Sequence, residues 1–459
     1  MSEQESFISQ KDLPLYIPQR CLITTAAHIE AGMENREATF DLYVRELPEH
    51  RNYLIFAGLE DIVNYLINLR FTEEQVLWLK GYFPFSQKIL DYFRDFRFTG
   101  DLSAMKEGTI FFPNEPVIRI TAPIVEAQLI EMYLINTAFL QTILASKISR
   151  FIKAAEGKEV AIGYNRTYGT DAAMKAVRIQ MILGVTCSLP SWHYKHASTS
   201  TFSAGTFHYL ISAFDREIDA FRAYLKHMKG KGYVLVDTYH SVKGIRNYIT
   251  AAKEFEKEGL KVTGIQLDSG DLLDLSRKAR RLFDKAGLTH AKIFAMSNLD
   301  EYKVEKLVKA KAPIDVYAGT TNIINPLDAP VIEVVYKLSE MQKGNKVLPK
   351  MKTSTKKISL PGRKQVFRNF NGSNYINDTI GLEDENISGE KLLRPIIQNG
   401  KLVSELPNLE GIRKYYQSQL PKFKENIFHL NQKIIYPVKI SPRLKELVQQ
   451  TRKEIRKNM

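Results

Sequence analysis

The stretch KVTGIQLDSGDLLDL, residues 261–275, decides the fold. A short apolar run, VTGIQL, ends in the polar, glycine-centred turn DSGD. A helix-like segment follows from about Leu272 to Lys285. The same order recurs on both sides. EVAIGY precedes NRTYGT and a helix from about Asp171; YVLVDT precedes a helix from about Ser241 to Glu258. AKIFAM precedes SNLD and a helix to about Lys309, and IDVYA precedes GTTN. Antiparallel strands can be joined by tight turns, whereas parallel strands need a crossover segment, usually a helix. The rhythm over about 158–325 therefore predicts parallel strands in an α/β fold. An α/β barrel and a doubly wound sheet fit it equally.

Outward from this region the pattern changes. Residues 38–47 read as a strand. Residues 52–69 and 72–81 read as helices, the second with Thr72 as N-cap and Glu73 and Glu74 in its first turn. Residues 108–121 read as two short strands around an Asn-Glu-Pro turn. A long helix is expected over roughly 125–155, where apolar residues recur at three and four. After about 330, VIEVVYKL, KQVFR and LLRPIIQNGKLV read as strands and loops, and the last 40 residues as a basic helical tail. This gives an expected division into 1–125, 126–330 and 331–459.

The chain has 459 residues, 44% hydrophobic and 25% charged. That composition is ordinary for a globular protein and excludes disordered, collagenous and membrane classes. The net charge of +14 is unevenly placed. Residues 341–368 carry nine Lys/Arg and no acid, and residues 421–459 carry ten against three acids. Such segments suit a polyanionic ligand. No aromatic-interleaved basic motif accompanies them, so a solvated basic face is expected rather than a nucleic-acid surface. Two cysteines, Cys21 and Cys187, supply neither a disulfide framework nor a four-thiolate zinc site. The start, MSEQESFISQ, lacks a signal peptide's regions, and no apolar run is long enough to span a bilayer, so a cytoplasmic setting without membrane attachment is expected.

Polar residues collect where each expected strand ends: Arg166, Asp237, Asp268, Ser297 with Asn298, and Gly319 with Thr320. In a parallel α/β fold those ends share one face, where sites are built. The same residue types also serve as helix N-caps. In the 267–271 run, Asp268 ends the strand and can face the cleft, while Asp271 is placed to cap the helix. A carboxylate such as Asp268 suits ribose hydroxyls, a Mg²⁺ ion, or a substrate amide or ring nitrogen. Gly319-Thr320-Thr321-Asn322 suits a phosphate, since glycine admits it close to the backbone. His208, beside Gly205-Thr206, can donate to a phosphate or carry one. His193 and His196 are spaced for a metal but have no evident third ligand; with His240 they are weaker candidates, and no protein-held metal site is expected.

Together these segments resemble nicotinate phosphoribosyltransferases from about Ala31 to Leu444. FDLYVRELPEHRNYLIFAGLEDIVNYL resembles the family's early segment, VEAQLIEMYLINTAFLQT and SKISR its long helix, and LDSGDLLDLSRKAR its most specific motif. GT at 319–320, YKLSE at 336–340, LPGRKQVFR at 360–368, LLRP at 392–395 and YPVKISPRL at 436–444 follow in order. The resemblance implies an irregular α/β barrel of the type II phosphoribosyltransferase kind, packed on an α+β domain formed by both chain ends. It implies a homodimer that joins nicotinate to phosphoribosyl pyrophosphate, with Mg²⁺ and with ATP as co-substrate, in NAD salvage. Carried onto this chain, His208 and Asp268 are the catalytic pair. Arg166, Thr206, Gln266, Ser269 and Asn298 bind substrate, and Gly319 with Thr320 bind phosphate.

Departures from the family pattern fall in these motifs. Gln266 stands for an Arg before Leu-Asp-Ser-Gly-Asp, and Asn165 for the first of two arginines. Tyr317 replaces the first Gly of Gly-x-Gly-Thr. Residues 17–24, IPQRCLIT, replace an Asp-Leu-Tyr-Gln-type segment. Cys187 to Ser191 replace a Gly-Thr-Ser-Asn loop, and the Gly-Thr-x-x-His spacing keeps His208 only if Ala204 and Gly205 stand for Gly-Thr. One charge-assisted bond is worth roughly 1.5–3 kcal/mol, about 10- to 100-fold in an equilibrium. A second reading of the same residues is therefore a divergent paralogue, either with another acceptor or acting as a non-catalytic binding protein.

Overall fold

The computed structural model describes residue 9, residues 11–185, residue 194, residues 205–354 and residues 357–457. The chain forms two compact units. One comprises 144–330, and the other comprises 1–143 with 331–459. The first division falls inside the helix Glu131–Ala154.

The 144–330 unit is built on a five-stranded, all-parallel sheet. Its order across the sheet is Glu159–Ile162, Val316–Gly319, Lys292–Leu299, Gly264–Leu267 and Tyr233–Leu235. A parallel bridge from Gly205 to Tyr233 extends the last strand. The strands expected in EVAIGY, YVLVDT, VTGIQL, AKIFAM and IDVYA are all present. The helices Thr170–Leu183, Ser241–Lys257, Leu272–Ala286 and Glu301–Lys309 lie between them in sequence. Both faces of such a sheet are covered, so the strands read as nearly continuous apolar runs. Register separates the faces. Tyr233, Phe294, Val316 and Ala318 form an inward cluster with Ala161 and Met296. Ile265, Leu267, Ile293 and Tyr317 take the opposite face.

One buried ion network braces this unit. Lys147 Nζ lies 2.5 Å from Glu301 and 2.7 Å from Asp328, and Arg150 Nε donates to Glu301 at 3.0 Å. It ties the long helix to the start of the helix that follows the Lys292–Leu299 strand.

The second unit interleaves the chain ends. Its seven-stranded antiparallel sheet runs Lys346–Pro349, Val334–Lys343, Glu37–Val44, Pro116–Pro123, Asp101–Ala104, Arg394–Gln398 and Lys401–Leu402. Leu42, Leu102, Ile118 and Ile120 are fully buried there. A smaller sheet pairs Glu390–Lys391, Lys364–Asn371, Asn374–Leu382 and Val438–Ile440. Thr72 caps the helix Glu73–Tyr82 in a capping box with Gln75.

Three expectations need correction. Residues 52–58 are not helical: Leu54–Ile55 is a strand paired with Ile110–Phe111, and the helix Leu59–Asn68 starts after Gly58 at φ 102. The long helix is split at Ile130 into Ile124–Leu129 and Glu131–Ala154. The last 40 residues are α-helical only over Pro442–Lys457, with short 3-10 turns at Leu420–Lys422 and Glu425–Phe428, because Pro421 and Pro437 interrupt the run and Val438–Ile440 joins a sheet. Among the described residues, no helix is long and apolar enough to cross a membrane.

Candidate functional site

The C-terminal ends of the five parallel strands converge, and the side chains there build one mouth. Asp237 follows the Tyr233–Leu235 strand and Asp268 the Gly264–Leu267 strand. The Asp237 carboxylate knits the two together. Its Oδ2 accepts from the Asp268 backbone N–H at 2.8 Å and from the Ser269 hydroxyl at 2.6 Å. Its other oxygen, Oδ1, is buried with no hydrogen-bond partner among the described residues. Asp271 caps the next helix as expected, accepting from the Leu273 and Asp274 N–H groups at 3.0 and 3.1 Å. Its carboxylate is thus used locally, and Asp268 is left to face the mouth.

His208 opens the helix His208–Ser212 with half of its side chain exposed. Its Nδ1 lies 3.1 Å from the Thr238 hydroxyl, and its Nε2 lies 3.9 Å from Asp268 Oδ2. The expected pair is therefore brought together. Burial pushes the Asp268 carboxyl above the usual range, and the neighbouring Asp237 carboxylate adds to this. His208 and Arg166 pull it back. Arg166 donates to the Thr321 hydroxyl at 3.2 Å, and its carbonyl accepts from Asn325 Nδ2 at 2.8 Å.

Gly319 and Thr320 end the neighbouring strand. The Gly319 carbonyl accepts from Gly163 N–H at 2.9 Å, which joins the two strand ends. A Cβ on Gly319 would sit 2.4 Å from Ile323, so only glycine fits. The Thr320 carbonyl accepts from Ile323 and Ile324 N–H at 3.0 and 2.9 Å, closing the turn Thr321–Ile324. Asn298 and Ser297 both hold positive φ, 48° and 105°, inside the Lys292–Leu299 strand. The Asn298 carbonyl accepts from Lys303 Nζ at 2.8 Å and Asn322 Nδ2 at 2.9 Å. A non-glycine pair in that region is held against its preference by these bonds.

Two expected substrate contacts lie deeper. Thr206 is buried, and its hydroxyl accepts from Leu235 N–H at 2.9 Å, a bond internal to the scaffold. Gln266 is 7% exposed, with Nε2 2.8 Å from Met296 Sδ. Its Oε1 lies against Gly205, where an added Cβ would come within 1.6 Å. His240 accepts from Lys243 N–H as a helix cap. Ala204, the Cys187–Ser191 segment, His193 and His196 lie outside the described residues.

Asp237 was visible as a strand-end carboxylate but was not assigned to the site. The available signal was its position, since it follows YVLV as Asp268 follows GIQL. Among the described residues, no group of three or more His, Cys, Asp or Glu could hold a metal ion by itself.

Comparison with known proteins is consistent along the chain. Residues 22–138 match the nicotinate phosphoribosyltransferase N-terminal domain, and residues 385–448 match the C-terminal domain of the same family. The chain is 37% identical over 425 residues to the nicotinate phosphoribosyltransferase pncB2 of Mycobacterium tuberculosis, covering 92% of this chain and 90% of that protein. It is 36% identical over 441 residues to a nicotinate phosphoribosyltransferase of Bacillus subtilis, covering 89% of each. In fold it is similar to a human nicotinic acid phosphoribosyltransferase, with TM-score 0.83 at 22% identity, covering 95% of this chain and 99% of that one. A nicotinate-nucleotide pyrophosphorylase of Pyrococcus furiosus gives TM-score 0.71 at 20% identity, covering 94% and 100%. The fold is thus of the type II phosphoribosyltransferase kind, with one parallel α/β unit and one α+β unit drawn from both chain ends. The chain belongs to the nicotinate phosphoribosyltransferase family.

Proposed function

We propose that the chain transfers a phosphoribosyl group from phosphoribosyl pyrophosphate to nicotinate, giving nicotinate mononucleotide and pyrophosphate in NAD salvage. The observation that carries this reading is the Asp237–Asp268–His208 cluster at the strand ends of a chain of this family. In the reaction the pyridine nitrogen lone pair forms a bond to the anomeric carbon. The bond from that carbon to pyrophosphate breaks, and its electron pair leaves on the pyrophosphate oxygen. Positive charge develops on the sugar, and the ionised Asp268 is set to stabilise it. Arg166 takes the pyrophosphate, Ser269 and Asn298 take sugar hydroxyls, and Gly319 with Thr320 take the 5′-phosphate.

The donor set fits Mg²⁺. Among the described residues, Asp237 leaves an oxygen buried and unbonded beside Asp268. One or two carboxylates completed by substrate oxygens are what this ion takes in phosphate chemistry. It would supply charge neutralisation of the pyrophosphate. In the ATP-assisted form of the reaction His208 accepts the phosphoryl group, with the nitrogen–phosphorus bond formed as the bond to the ADP oxygen breaks. A homodimer acting in the cytoplasm completes the reading.

The test is direct. Purified protein with nicotinate, phosphoribosyl pyrophosphate and Mg²⁺, with and without ATP, is expected to release pyrophosphate and form the mononucleotide in equal amounts. No release above background refutes the activity. Sedimentation at micromolar concentration checks the dimer.

A further inference from the structure

We propose that the unit formed by the chain ends carries a binding site of its own, a groove beside Arg70 that takes a phosphate monoester on a small hydroxylated carrier. Its residues belong to 1–143, whereas the mouth belongs to the 144–330 unit, so the proposal does not depend on the transferase reading.

The groove is a cavity of about 300 Å³ along the helix Leu59–Asn68. That is the lower end of the volumes small-molecule sites occupy. Asp61, Asn64 and Asn68 line it, spaced three and four apart, so they form one polar face of the helix. Lys11, Arg70 and Thr72 complete the polar lining. Tyr65, stacked on Tyr133 with ring centroids 3.9 Å apart, supplies an aromatic wall.

Two arginines meet here without an acid. Phe71 packs on Phe96, with ring centroids 5.7 Å apart, and this brings the adjacent Arg70 and Arg97 into each other's field. Partial burial first, and then the Arg97 guanidinium, pull Arg70 below its ordinary value. Each guanidinium donates one N–H to the carbonyl of the residue before it, Leu69 at 2.6 Å and Phe96 at 2.5 Å. Neither has a carboxylate partner among the described residues. A guanidinium has several further N–H donors to offer. A phosphate monoester brings about two negative charges and three acceptor oxygens, which turns the repulsion between the arginines into attraction for the ligand.

The remaining groups read the carrier. Thr72 caps its helix by accepting from Gln75 N–H at 3.2 Å, so its own hydroxyl hydrogen can go to a phosphate oxygen. Asn68 Nδ2 donates to the Asn64 carbonyl at 2.8 Å and keeps its side-chain oxygen as an acceptor. The Asp61 carboxylate, held by Gln141 Nε2 at 2.6 Å, accepts hydroxyl hydrogens and repels phosphate. Cations and a hydroxyl donor therefore serve the phosphate, and acceptors on the helix face serve hydroxyl groups. Tyr65 is 5% exposed, and its hydroxyl has no hydrogen-bond partner among the described residues. A buried hydroxyl in that state is the kind of group a bound oxygen satisfies.

Hydrogen exchange read by mass spectrometry locates binding on the full chain, with ribose 5-phosphate, AMP, ribose and inorganic phosphate as probes. Ribose 5-phosphate is expected to slow exchange across residues 61–75, and ribose is not. Both arginines are exposed, so the double variant Arg70→Gln, Arg97→Gln is expected to fold, and unfolding without ligand checks this. That variant is expected to need about 10- to 100-fold more probe for the same protection, the worth of one charge-assisted bond. Arg70→Lys, which keeps the charge, is expected to fall between. Protection at 266–271, where the mouth can hold a phosphate, is expected to be the same in every variant. Stronger protection of 61–75 by AMP than by ribose 5-phosphate supports the site and puts a base against the tyrosine pair. The proposal is overturned if neither phosphorylated probe protects 61–75 at millimolar concentration. It is also overturned if the folded double variant is protected as well as wild type, or if inorganic phosphate does as well as ribose 5-phosphate.

Discussion

Asp237→Asn separates the two carboxylates at the mouth by charge alone. The amide keeps an oxygen where Oδ2 now accepts from Asp268 N–H and Ser269 Oγ, at 2.8 and 2.6 Å, so the turn keeps its bonds. What is lost is the negative charge that helps hold the Asp268 carboxyl above its ordinary value. A like charge at ~4–6 Å, partly screened by water, is worth on the order of 1–2 kcal/mol, or about one pH unit. The sign follows from the required state. In the proposed reaction transfer needs Asp268 ionised, so activity is expected to fall as pH drops through its raised value. Removing the repulsion lets the carboxylate persist to lower pH, and the acid limb of kcat/KM for phosphoribosyl pyrophosphate moves down by about one pH unit. Burial, the larger cause, is untouched, as are the opposing His208 and Arg166. The amplitude also falls, because Asp237 is a proposed Mg²⁺ ligand; the position of the limb is the test. Carboxyl ¹³C titration of Asp268 reads the same displacement without turnover. A limb that stays in place or moves up refutes the coupling.

Three further outcomes concern the scaffold. Asp378→Ala strands the fully buried Arg368 guanidinium, which Asp378 now meets at 2.6 Å, and is expected to cost about 3–5 kcal/mol by urea unfolding. Glu115 is raised well above the carboxylate range, by burial first and then by the Asp378 carboxylate. Its stabilising contribution is therefore present at pH below its unfolded value and is lost as pH rises toward its folded value, and Glu115→Gln is expected to flatten that decline as pH rises above the ordinary carboxylate range, read by urea unfolding across pH. Gly205→Ala drives a methyl into the Gln266 amide and is expected to lower the unfolding temperature by several degrees. Gln266→Ala in the same chain is expected to restore most of that loss, and no restoration would place the strain elsewhere.

The parallel unit was legible because its strands are buried on both faces and are punctuated by turns that glycine and aspartate mark locally. Asp271 as a cap and Asp268 as the free carboxylate could be read from their order alone. What failed depended on distant partners. NYLIFAG has a helix-like apolar run, but Leu54 and Ile55 pair with Phe111 and Ile110, far along the chain. The basic stretch 341–368 reads as nine uncompensated cations, yet three are paired. Arg363 meets Glu340 and Glu37, Lys364 meets Asp41 at 2.7 Å, and Arg368 meets Asp378. Lys364 and Arg368 are buried. A window along the sequence counts charge and cannot see partners. Asp237 went unassigned because its role lies in bonds to Asp268 and Ser269, about thirty residues on.

The same distinction changes how the motif departures weigh on the site. Counted along the sequence, Tyr317, Asn165 and Gln266 are three equal losses. Register makes them unequal. Tyr317 is on the face opposite Val316 and Ala318, buried at 1% exposure, so its ring does not enter the mouth. The turn it precedes keeps the Gly163–Gly319 backbone bond and the close approach of Gly319 to Ile323. That substitution therefore leaves the phosphate end of the proposed site as it was. Asn165 is an exposed residue of the loop that also carries Arg166, and Asp268 still senses the cation of Arg166. Gln266 is 7% exposed, with its amide against Met296 and Gly205, so a positive charge lost there is not replaced by solvent. The three departures therefore weigh unequally, and the heaviest is the buried one rather than those at the phosphate turn or the exposed loop.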